Sequence, residues 1–210
     1  MSASVVAHRS GARVDVMMMD ARQQTDTGPN SFVALRDAVA RRAQDLALLA
    51  ETDDELESAI LFADQAMHDD QAKVDMLDWC LANEPGGGFL GFVLDQVWHR
   101  PKIGSIISQG LFDRDEICDA FYWSHPRYLM SEDADHALWL KLRRKRNPIT
   151  VWLGVSDNDF ELACQGLSWT TSRAYAEWFA TRFATNPLVV QAQIRPIKIC
   201  AAWLYEHEIS

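Results

Sequence analysis

Four short patterns in the last third of the chain combine side chains that can do chemistry. Glu206-His-Glu208 sets two carboxylates two residues apart, which on a strand places both on one face. Such a pair can divide acid, base and charge-stabilising work between its members; near a chain end the two can equally be solvated residues. Ser168-Trp-Thr170 brackets the indole of Trp169 with two hydroxyls, and that indole can stack on a planar ligand or pack. Val151-Trp-Leu-Gly154 is a third pattern, set in an alternating run rich in β-formers. Lys141-Leu-Arg-Arg-Lys-Arg146 puts five cations in six residues. At a helix C-terminus these complement the macrodipole on a solvated face, and a phosphate-bearing or acidic partner is the sharper alternative.

Other patterns lack the companions their chemistry needs. Cys80, Cys118, Cys164 and Cys200 are far apart, with no Cys-x-x-Cys pair, so they read as reduced, mostly core thiols, and no metal site is expected. Pro85-Gly-Gly-Gly88 is not the ordered P-loop pattern and reads as a joint. Asp157 and Asp159 are without the glycine and final glutamate of a calcium loop. His125 and His136 have no third member of a triad in view, which favours surface or packing roles.

The elements that would position these residues are legible from period and punctuation. Met1 to Asn30 reads as a flexible tail without apolar period. Ser31 is an expected N-cap for a helix through Leu49. Thr52-Asp-Asp-Glu55 has the form of a capping box. The helical spacing of Leu56, Ile60, Ala63 and Met67 resumes at Val74, Leu77 and Leu81 after an interruption at His68-Asp-Asp70. That pattern fits one long helix or two with a joint. Phe89 to Trp98 reads as an apolar helix, Lys102 to Tyr122 as short helix with a turn at Gly110, and Tyr128 to Arg146 as a helix stopped by Asn147-Pro148. Ile149 to Val155 alternates as a strand, and Leu167 to Thr171 is a second, short one. Ser172 to Phe183 is helical; Pro187 to Ile194 and Ile197 to Tyr205 are two further strands.

Helices first and strands last argue an α+β chain in which a helical N-terminal part packs on a strand-rich C-terminal core. The expected division is a tail over 1–30, a helical segment over 31–88 and a core over 89–210. At 210 residues with 48% hydrophobic and 24% charged side chains, the chain can bury a real core, and wholesale disorder is excluded. No apolar run approaches the ~20 residues that cross a bilayer. Arg9, Arg13 and Asp15 interrupt any apolar leader at the Met1 end, so a cytoplasmic protein without membrane association is expected. The net charge of −10 makes nucleic acid an unlikely general partner. Residues 51–78 carry −9 of it, and residues 141–210 are at +3. The segment bearing the chemical patterns therefore tolerates an anionic ligand.

In order and context, Val151-Trp-Leu-Gly154, Ser168-Trp-Thr170 with its following helix, and Glu206-His-Glu208 resemble the ADP-ribosyltransferase-like family, in its arginine–serine–glutamate branch of bacterial and phage type. The resemblance covers about Phe89 to Ser210. It implies an ADP-ribosyltransferase-like core, NAD as substrate and transfer of ADP-ribose to a protein acceptor, with an arginine side chain favoured. Relatives of this kind often act on host or defence proteins. By resemblance, Glu208 stabilises the positive charge that develops on ribose as the nicotinamide bond breaks, the chemistry of glycoside cleavage. Glu206 aligns or deprotonates the acceptor. Ser168, Trp169, Thr170, Trp152 and Gly154 form the NAD-binding surface. Leu153 departs from the family, which has arginine there, and a leucine cannot replace a bidentate fork on phosphate. Two expectations stand: a transferase recruiting another cation, such as Arg127, Arg173 or Arg182, or a catalytically inactive relative that works by binding a protein partner.

Overall fold

A computed structural model of the chain describes residues 29–98, 112–130, 132–155, 167–182 and 186–202. Among the described residues seven helices come first: α1 Pro29–Leu49, α2 Asp53–Ala66, α3 Asp70–Asn83, α4 Gly87–Trp98, α5 Arg114–Trp123, α6 Pro126–Leu129 and α7 Asp133–Arg143. Then follow β1 Ile149–Val155, α8 Arg173–Thr181, β2 Leu188–Ile194 and a 3-10 turn at Pro196–Lys198. Among the described residues the architecture mixes helices with an antiparallel two-stranded sheet.

Local chemistry accounts for most boundaries. α1 begins at Pro29, ahead of the expected Ser31 cap, because proline is tolerated in a first helical turn where its missing N–H costs nothing. The capping box forms: the Glu55 amide donates to Thr52 Oγ1 at 3.3 Å, and Glu55 Oε2 accepts from the Thr52 amide at 3.1 Å. The two-helix alternative holds at His68-Asp-Asp70, where Asp69 caps α3 by accepting from the Ala72 amide at 2.8 Å.

α4 is apolar around nearly its whole circumference and buries Phe89, Leu90, Val93, Leu94 and Val97, as an all-round hydrophobic helix must. It packs on α2, α3, α5 and α6. A single apolar cluster runs from Ala43 to Leu129, across the division expected between residues 88 and 89. Cys80 lies inside it, and burial pushes its thiol up to about 12.

Among the helices and in the segment after β2, two expected elements differ. The helix over Tyr128–Arg146 is split into α6 and α7. Met130 leaves the helical region at φ −125°, ψ 84°, and its sulfur accepts from the Ala202 amide at 3.5 Å. A new start follows at Glu132, with Asp133 and Asp135 in the first turn where the dipole favours acids. The strand expected over Ile197–Tyr205 gives way, within its described part, to the 3-10 turn and irregular chain to Ala202. Its partners there are helical side chains. The Ile199 carbonyl accepts from Trp139 Nε1–H at 3.0 Å, and Cys200 and Ala201 pack on the helical core.

The Glu55 carboxyl is held below the ordinary carboxylate range, first by the Glu51 amide, then by the Thr52 hydroxyl and amide. Because the folded value is the depressed one, its contribution to stability is present at neutral pH and fades as pH falls through that value. Thr52→Ala is expected to move the Glu55 titration upward toward the ordinary range, read by NMR of its side-chain carboxyl.

Candidate functional site

β1 is the element on which the chemical patterns meet. It pairs antiparallel with β2, with Trp152 opposite Gln191, Leu153 opposite Val190 and Gly154 opposite Val189. Cross-strand neighbours share a face. Ile149, Val151, Leu153 and Val155 therefore form an apolar face with Ile194, Ala192, Val190 and Leu188, while Thr150, Trp152 and Gly154 occupy the other. Leu153 is half-buried within that apolar stripe.

The free edge of β1 carries the second pattern. Trp152 N–H donates to the Thr170 carbonyl at 2.7 Å, and Thr170 N–H returns to the Trp152 carbonyl at 2.8 Å. Of the short strand expected over Leu167–Thr171, this one bridge is what forms. The chain turns directly afterwards. Thr170 Oγ1 accepts from the Ser172 amide at 3.1 Å, and Ser172 Oγ accepts from the Tyr175 amide at 3.3 Å, capping α8. Thr170 thus helps to turn the chain into α8, Ser168 is exposed, and Trp169 is half-buried.

Gly154 has a packing reason of its own. A methyl group on it would overlap the Ala176 carbonyl oxygen and the Ala180 amide of α8. The helix backbone rests on the strand at this point, and Ala176 and Ala180 are its buried residues. Further along the same face the Arg173 guanidinium lies over the Trp152 ring, 5.4 Å from its centroid, while Arg173 Nε pairs with Glu177 at 2.8 Å. Of the other two cations considered, Arg182 lies over Trp178 and Arg127 beside Tyr128.

The structure brings together Trp152, Gly154, Thr170 and Arg173. Glu206 and Glu208 lie outside the described residues. His125, exposed, accepts from the Arg127 amide at 3.3 Å to cap α6, and His136 stacks on Trp139, within the surface or packing roles expected of them. Among the described residues no three His, Cys, Asp or Glu side chains cluster as metal ligands, and no helix is long and apolar enough to cross a membrane.

Two features escape a linear reading. Thr150 Oγ1 accepts from Gln193 Nε2 at 2.8 Å across the sheet, a pair that only the strand register creates. The basic run at the end of α7 is joined by Arg195 from 49 positions beyond Arg146. Comparison of the chain with family models, characterised proteins and solved structures finds no match.

Gly154→Ala is expected to destabilise the fold by about 1–3 kcal/mol through overpacking against α8. In a thermal melt that corresponds to a drop of several degrees, at roughly 2–4 °C per kcal/mol for a chain of this size. An unchanged melting temperature would show that α8 does not rest on β1 at this position.

Proposed function

We propose that the chain is an NAD-dependent mono-ADP-ribosyltransferase acting on a protein side chain, with arginine as the favoured acceptor. The observation that carries this reading is the two-bonded pairing of Trp152 with Thr170. It sets the aromatic-x-Gly strand beside the Ser-x-Thr segment, immediately ahead of a capped helix, as the family resemblance requires. Arg173 over Trp152 supplies a guanidinium on that surface although position 153 is leucine.

The proposed reaction balances simply. The bond between nicotinamide and the ribose carbon breaks, and nicotinamide leaves with the bonding pair. An acceptor guanidinium nitrogen then bonds to that carbon and loses a proton to Glu206. The resemblance gives Glu208 the part of the carboxylate that stabilises the developing positive charge and so lowers the barrier. Trp152 and Trp169 offer planar surfaces to the rings of the dinucleotide, and the Ser168 hydroxyl is exposed to meet the ribose.

A second reading is favoured by Leu153. Its half-buried place opposite Val190 on an uncharged face fits a relative that has lost nucleotide handling and works by binding a protein partner. Incubation of the full chain with labelled NAD and cell lysate separates the two. Transfer of label to a protein, reduced at least about a hundredfold in Glu208→Ala, is the result expected of the transferase, since removing one transition-state charge stabiliser commonly costs that much. No label, together with no NAD binding by calorimetry, would overturn it and leave the binding protein.

A further inference from the structure

A dense group of unbalanced positive charge lies beside the proposed site, on residues to which the family resemblance gives no role. No Asp or Glu occurs between Asp135 and Asp157, nor between Glu177 and Glu206, although the whole chain has thirty acids against twenty cations. The fold brings these two acid-free segments together. Trp139 of α7 donates to the Ile199 carbonyl at 3.0 Å, and Arg143 reaches the same oxygen at 3.4 Å while lying over the Trp139 ring. The basic end of α7 is thereby fixed against the turn that carries Arg195.

Two adjoining grooves result. One, of about 690 Å³, runs between the last turn of α7 and the start of β1, with Lys141, Lys145 and Arg146 on its rim and Thr150 and Thr171 among its lining residues. The second, of about 410 Å³, shares Lys145 and Arg146 and adds Arg143 and Arg195. Among the described residues, no carboxylate lines either groove, and Lys141, Lys145, Arg146 and Arg195 form no ion pair. The Thr150 hydroxyl already accepts from Gln193, which leaves its proton to donate into the groove.

We propose that this groove binds a small ligand carrying two or three linked phosphates. The donor set matches that chemistry: ammonium groups act as point charges, guanidinium groups as forks, and a hydroxyl proton serves a third oxygen. The larger volume is that of a small-molecule site. A long polyanion fits less well, because residues 51–78 hold a charge of −9 elsewhere on the same chain and repel an extended phosphate backbone. The inference goes beyond the transferase reading and does not rest on it.

The test is calorimetric titration of the full chain with tripolyphosphate at about 0.15 M ionic strength, where diffuse surface attraction is largely screened. This probe has neither nicotinamide nor ribose, so its binding is read separately from NAD chemistry. Saturable one-to-one binding is expected. The double variant Lys145→Gln/Arg146→Gln should weaken it at least about tenfold, in keeping with loss of charge-assisted bonds. Arg41→Gln/Arg42→Gln removes the same charge from exposed positions on α1 and should leave affinity within about twofold. Thr150→Val, which keeps every cation, should weaken binding severalfold with an unchanged melting curve. No binding at this ionic strength, or equal losses in the two double variants, would overturn the proposal. So would tighter binding of a short oligothymidylate or a poly-glutamate peptide than of tripolyphosphate.

Discussion

A two-stranded sheet is marginal in water unless something covers it, and in this protein the covering depends on a missing side chain. α8 lies against β1 with its Ala176 carbonyl and Ala180 amide in the space that any Cβ at position 154 would fill. That close approach fixes where α8 begins. It thereby fixes the turn through Ser172, the pairing of Thr170 with Trp152, and the position of Arg173 over the Trp152 ring. The chemical surface is a consequence of helix–strand packing as much as of the residues displayed on it.

The sheet is not independent of the helical part. The irregular segment after β2 is tied to α7 through the Ile199 carbonyl and to Met130 through the Ala202 amide. These contacts join a helical core centred on α4 to the elements that carry the candidate site. They also bring Arg195 to the cations of α7, so charge that is merely dense in sequence becomes convergent in space. The helical segment 51–78 carries the opposite sign, and the chain is electrically polarised between its acidic helices and its basic groove. Such a charge distribution draws an anion toward the basic groove.

What was legible in the sequence was local. The capping box at Thr52 and Glu55 and the alternation of β1 and β2 depend on neighbours within a few positions, so pattern alone reveals them, whereas the interruption at His68-Asp-Asp70 left one long helix and two jointed ones equally open. The α+β character followed from the same signals. The strand expected over Ile197–Tyr205 was misleading in its described part because a strand-like composition does not say what the chain packs on; here Trp139 and the helical core are its partners. Leu167–Thr171 had the composition of a strand, yet only Thr170 finds a partner. The single helix expected over Tyr128–Arg146 could not reveal its break, because the contact at Met130 comes from Ala202, 72 positions later. At the candidate site, residue types suggested Trp152 and Thr170, but their mutual hydrogen bonds are non-local. The packing of Gly154 under α8 was equally invisible to spacing.

In the proposed transferase, Trp152 and Trp169 form the NAD-contacting surface. Its most direct test follows the indole N–H resonances of the eight tryptophans by two-dimensional NMR as NAD is added to the full chain. Progressive, saturable shifts are expected for Trp152 and Trp169, and none for Trp79 and Trp98, which pack edge-on against Phe89 and Phe121. Unmoved Trp152 and Trp169 resonances at millimolar NAD would contradict it, whatever the other indoles did.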